Sequence, residues 1–89
     1  MTHNLADTSR SAFEQNAERL QATRARTLAE LRRRPQTAFE LAESLHEPFY
    51  NVQPACSKLR SDGQIKDSGE RRPSPRSGLP AIVWKAVAP

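Results

Sequence analysis

Eighty-nine residues with fourteen Lys and Arg against ten Asp and Glu, a formal net charge of +4 and a single cysteine set narrow limits. That length holds one small domain with an attached arm, and such a domain buries only about 60% of the surface its unfolded chain exposes, so a second subunit would add stability. One cysteine makes no internal disulfide, no apolar run is long enough to cross a membrane and no signal peptide is visible, so the expected place is the cytoplasm and the favoured partner an anion.

In chain order, a helical pattern starts at Ser9 or Ser11, with Phe13, Ala17 and Leu20 at steps of four and three, and Ser11 with Glu14 reads as a capping box. Helix formers continue without Gly or Pro to Arg34, as one long helix or two with a bend, and Pro35 ends the run. Residues 24–34 are expected to pack Leu28 and Leu31 against Leu41 and Leu45. The amphipathic segment before them is surplus to that core. Exposed Phe13 and Leu20 favour its use in a homodimer, through Phe13, Ala17 and Leu20, over folding back on its own domain.

Thr37 caps a second helix that runs to Leu45, with Glu40 three residues on. His46, Glu47 and Pro48 then break the chain. The third helix is expected to start near Asn51, because Pro54 costs little in a first turn but about 3 kcal/mol in a helix interior. Its Val52, Cys56 and Leu59 share a buried stripe, which makes Cys56 a core residue. Residues 64–68 read as a short strand. Residues 69–80, with three prolines, two glycines and three arginines, read as a loop, and 81–87 as the returning strand, with Trp84 most simply a core residue and stacking on a base its alternative.

The run Leu41-Ala42-Glu43-Ser44-Leu45, a short turn, and then Val52, Cys56, Leu59, Gly63 and Ile65 resemble the helix-turn-helix core of the winged-helix DNA-binding domains of small prokaryotic and phage regulators. Asp67 to Arg72, Ser77-Gly78 and Ala81-Ile82-Val83-Trp84 resemble the two-stranded wing that follows. The likeness spans roughly residues 24 to 87. It departs from the family pattern at His46, where Gly is usual, and at Pro48 and Pro54. It implies an α+β winged helix, a three-helix core with a two-stranded β-wing, at 24–89, preceded by an N-terminal helical arm at 1–23.

Charge is unevenly spread. Residues 23–34 carry Arg24, Arg26, Arg32, Arg33 and Arg34 against Glu30; residues 35–50 carry Glu40, Glu43 and Glu47 and no Lys or Arg; residues 70–89 are basic again. On the outer face of the third helix stand Tyr50, Pro54, Ser57, Lys58 and Ser61, with Asn51 and Gln53 at its N-terminal end. Asn and Gln bond adenine edges at two atoms, Lys reaches guanine acceptors and Ser bonds phosphate or base. Any amphipathic helix has a polar outer face, so the weight comes from its place after a turn and before a basic wing. Arg71, Arg72 and Arg76 are read as minor-groove or phosphate contacts in a proline-stiffened loop. Arg32 to Arg34 either touch phosphate, as Arg33 is taken to do, or pair with Glu40 and Glu43. The three carboxylates of the second helix would repel a duplex unless paired, turned away or used on a protein partner.

The resulting expectation is a sequence-specific regulator of transcription that binds double-stranded DNA as a homodimer. The alternatives are an accessory DNA-binding factor for phage recombination or replication, and a winged-helix protein-interaction module. No nucleophile stands with a base, no Gly-rich loop cradles phosphate and neither His3 nor His46 has companions at metal spacing, so no enzyme, cofactor or metal site is expected.

Overall fold

A computed structural model describes the backbone of residues 5–88 and side chains from residue 16 to 88. The elements follow in the order α1 (Leu5–Arg33), β1 (Gln36–Thr37), α2 (Ala38–Leu45), α3 (Phe49–Ser61), β2 (Ile65–Pro73) and β3 (Pro80–Ala86). Three helices and an antiparallel sheet of strand order β1-β3-β2 make a winged helix, with β2 and β3 as the wing.

α1 is one helix of 29 residues, so of the two readings left open by the sequence the unbroken one holds. At 1.5 Å per residue it is about 43 Å long. It begins at Leu5, which puts Ser11 inside the helix and not at its start. Thr23, Thr27 and Leu31 recur at steps of four on its buried face, with Leu28 partly buried beside them. Ala17 and Leu20 are half-buried. The side chain of Phe13 lies outside the described residues. Pro35 ends the helix, as expected, because its ring and missing N–H cannot continue the ladder.

The cap of α2 takes the expected form. The Glu40 amide donates to Thr37 Oγ1 at 3.1 Å, and the Thr37 amide donates to Glu40 Oε1 at 2.8 Å. His46 closes the helix in the left-handed region at φ 54°, where a glycine would sit without strain. The His46 amide donates to the Glu43 carbonyl and the Glu47 amide to the Ala42 carbonyl, which satisfies two carbonyls the helix end leaves open.

α3 starts at Phe49, two residues before the position read from Pro54. Pro54 is therefore the sixth residue of the helix, past the first turn, and the Tyr50 carbonyl loses the donor it would have four residues on. Two interactions favour the extra half-turn. Pro48 supplies the helix entry at φ −60°, and the Phe49 ring stacks on Phe39 with centroids 4.2 Å apart.

The sheet differs more from expectation. Residues 36 and 37 form a third strand that pairs with Val83 and Trp84 on the free edge of β3. β2 runs to Pro73, so Arg71 and Arg72 are strand residues and not loop residues. The low strand propensity of Gly69, Glu70 and the arginines is overridden by pairing of Arg71, Arg72 and Pro73 with Ile82, Ala81 and Pro80. A bulge between Asp67 and Arg71 takes up the mismatch: Gly69 sits there at φ 88°, its amide donating to Asp67 Oδ1 at 2.8 Å. The core gathers Leu31, Leu41, Val52, Cys56, Leu59, Ile65 and Trp84, so every helix and both long strands contribute, and Leu28 and Leu31 pack in the cluster that holds Leu41, as expected, but not Leu45. Leu45 is buried as well.

Candidate nucleic-acid interface

Burial of Val52, Ala55, Cys56 and Leu59 turns the opposite face of α3 outward. Tyr50 is 75% exposed, and Gln53, Pro54, Ser57, Lys58 and Ser61 are exposed with it. Lys58 lies 3.3 Å from Asp62, one turn on. Asn51 differs from its neighbours: it is half-buried, and its Nδ2 donates to Glu47 Oε2 at 3.3 Å.

The six-residue wing tip is tied to the start of α3. Ser74, buried, closes the loop through its amide on the Leu79 carbonyl and its carbonyl on the Gly78 amide, each at 2.8 Å. Its hydroxyl accepts from the Arg76 amide. The Arg76 guanidinium then sits 5.7 Å from the centroid of the Phe49 ring, the first residue of α3. Between tip and helix runs a groove of about 300 Å³ lined by Phe39, Gln53, Ser77, Leu79, Ile82 and Trp84. Gln53 of α3 and the wing tip thus share one groove, and Arg76 joins the tip to Phe49, the residue before exposed Tyr50. Arg76 has no carboxylate partner among the described residues.

Arg71 and Arg72 are already engaged. Arg71 meets Asp67 with both amino groups, at 2.8 Å each. That hydrogen bond and the Gly69 amide hold the Asp67 carboxyl below the usual carboxylate range, and the same carboxylate raises the guanidinium pKa. Arg72 is raised by Glu70, 2.9 Å from its Nε, and by Glu40, 2.7 Å from its Nη1.

Of the two readings of Arg32 to Arg34, pairing with Glu40 and Glu43 is not seen among the described residues. Glu40 holds the α2 cap and Arg72 of the wing, and Arg33 pairs with Glu30 within α1. Glu47 pairs with Arg26, whose other amino group donates to the Leu45 carbonyl at 2.6 Å. Glu43 is exposed. Arg33 lines a separate shallow groove with Arg32, Arg34, Lys85 and Val87, and is not brought to the α3 surface. Sequence reading missed the roles of Arg26, Phe49 and Arg60. The guanidinium of Arg60 lies 5.6 Å from the Trp84 ring centroid.

Trp84 and Cys56 are buried core residues, and burial pushes the Cys56 thiol up to about 12. Among the described residues no three His, Cys, Asp or Glu side chains converge as metal ligands, and no helix is long and apolar enough to cross a membrane.

No family model matches the sequence, and no curated protein matches it. Among solved structures the chain is similar to ZitR of Lactococcus lactis, a double mutant in apo form, with a TM-score of 0.59 and 26% sequence identity. The match takes in 97% of this chain and 64% of ZitR, so the present chain spans less than two thirds of that neighbour.

Proposed function

We propose that this protein is a sequence-specific double-stranded DNA-binding regulator of transcription, with α3 in the major groove and the wing on the backbone or minor groove. The observation that carries the reading is the continuous surface formed by the outer face of α3 and the wing tip, joined where Arg76 stacks on Phe49. A helix of this width fits a major groove with its N-terminal residues foremost, and the wing tip then stands beside the adjoining phosphates. Gln53, Ser57 and Lys58 face the bases, Tyr50 and Arg76 face the backbone, and Asn51 reads an edge from the first turn. Arg33 is assigned to a flanking phosphate.

Residues 1–23 serve as the arm of a homodimer and 24–89 as the DNA-binding unit. α1 begins at Leu5, well before the Thr23, Thr27 and Leu31 face by which it packs on the core, and that excess of helix supports the division. Two-fold pairing would place half-sites about 34 Å apart or at a multiple of that distance. Internal use of Glu40 and Glu47 weakens one part of the protein-interaction alternative, in which the acidic second helix and the N-terminal arm dock a partner.

The test is selection from a random duplex pool at near-physiological salt, with sequencing of the retained fraction. A two-fold symmetric motif supports the dimeric regulator, and an asymmetric motif moves the reading to an accessory factor. Retention without enrichment would overturn sequence-specific recognition.

A further inference from the structure

One chain of polar contacts joins all three helices at the end of the molecule that carries the start of α3. Arg26 on α1 donates through Nη2 to the Leu45 carbonyl at the end of α2 and through Nη1 to Glu47 Oε1 at 3.1 Å. The Glu47 side chain, only 18% exposed, accepts from Asn51 Nδ2 through its second oxygen. Asn51 is the third residue of α3 and makes no other side-chain hydrogen bond among the described residues.

The chemistry of these groups sets the orientation of the amide. A carboxylate only accepts, and both Glu47 oxygens do so here, one from Arg26 and the other from Asn51. Asn51 must therefore turn its nitrogen toward Glu47, which leaves Oδ1 and the second Nδ2 hydrogen for a ligand. In the major groove adenine offers the N6 amino donor beside the N7 acceptor, the complement of that free edge. Guanine offers two acceptors, N7 and O6, so Oδ1 would face a second acceptor. An amide free to rotate would tolerate both purines better.

We infer that Arg26 and Glu47 are positioning residues that lock the Asn51 amide in the orientation that selects adenine over guanine at one base pair of each half-site. The inference rests on the DNA-binding reading above. It gives the Arg26 side chain a task beyond the α1 surface and Glu47 a use in a helix pair that would otherwise repel phosphate. Neither residue needs to touch DNA.

The experiment repeats the duplex selection with the full chain as wild type, Asn51→Ala, Glu47→Gln, Glu47→Asp and Arg26→Met, each checked for its helical circular dichroism and thermal transition. Gln keeps the shape of Glu47 but presents either an oxygen or an amino group, and Asp keeps the charge but draws it back by one methylene. The wild type should enrich adenine at a position where Asn51→Ala loses its preference. At that position alone, Glu47→Gln and Glu47→Asp should reduce the adenine-to-guanine ratio by on the order of three- to tenfold, the expected effect of releasing one immobilised side chain. Combining either with Asn51→Ala should add nothing there. Full retention of the ratio, or an even loss of affinity at every position, overturns the positioning role while leaving DNA binding intact. No enriched motif for the wild type overturns the DNA reading itself, and the inference with it. Side-chain amide resonances of Asn51 give a readout without DNA: an unchanged Nδ2 proton shift in Glu47→Gln also counts against the lock.

Discussion

Asp67→Asn should strengthen DNA binding. In the free protein Asp67 occupies both amino groups of Arg71, so a phosphate can take that guanidinium only by displacing a carboxylate. Asparagine keeps a carbonyl oxygen for the Gly69 amide, so the bulge that sets the wing register survives. The ion pair is exposed, and folding stability should barely change. Each additional phosphate neutralised steepens the dependence of log affinity on log salt by about 0.9, which between 50 and 200 mM amounts to about 3.5-fold in affinity per phosphate. Fluorescence anisotropy of a labelled duplex carrying the selected motif, titrated at several salt concentrations, reads both quantities. Glu18→Gln removes the same charge from an exposed site on α1, away from α3 and the wing, and controls for net charge alone. Arg71→Ala in the Asp67→Asn background should return the slope to that of the wild type. A slope for Asp67→Asn no steeper than for Glu18→Gln would refute the idea that the carboxylate masks a DNA-binding arginine.

Four further outcomes follow from the packing. Thr27 has a buried hydroxyl without a hydrogen-bond partner, so Thr27→Val should raise stability by about 1 kcal/mol, seen as a higher urea midpoint at constant slope. His46→Gly relieves a left-handed residue and should raise stability by about 0.5–1 kcal/mol in the same assay, since the relief exceeds the extra unfolded-state entropy. Thr37→Ala removes the α2 cap and should cost about 1 kcal/mol, with Thr37→Ser recovering most of it. The Cys56 thiol, raised from 9.0 to about 12, stays protonated in the folded chain while the unfolded chain ionises, so the unfolded state holds fewer protons above pH 9 and stability falls as pH rises from there. Cys56→Ala should flatten that fall, measured as the urea midpoint at pH 8 and pH 10.5.

The helices were legible because their signals are local. Thr37 and Glu40 cap α2, a 3.6-residue stripe of Val52, Cys56 and Leu59 orients α3, and Pro35 stops α1, all within a few residues of chain. The sheet was less so, since β1 is two residues long and the second half of β2 is Gly, Glu, Arg, Arg and Pro. Neither has strand character apart from the partner it meets on β3. Pro54 misled for a related reason: its cost was read from the helix alone, whereas Phe49 finds a stacking partner in Phe39 that lies ten residues away. For the candidate site the residue types on α3 were readable, and the state of the arginines was not. Whether Arg71 and Arg72 are free or engaged depends on a bulge and a register that no local pattern encodes.

The carboxylates of α2 and its turn show how that distinction bears on function. Read along the chain, Glu40, Glu43 and Glu47 form a negative block beside a helix proposed to enter DNA. In the fold Glu40 joins the N-terminus of α2 to Arg72 of the wing, and Glu47 joins Arg26 of α1 to Asn51 of α3. Each lies at one end of α2 and fixes a different flank of the proposed interface, so the charge is spent between elements before a duplex arrives. A helix-turn-helix with neutral residues at these two positions would carry less repulsion, but its wing and its first turn of α3 would lose the contacts that set their positions. On this argument the acidic second helix belongs to the recognition surface as its internal brace, and Glu43 alone remains to repel phosphate or to meet another protein.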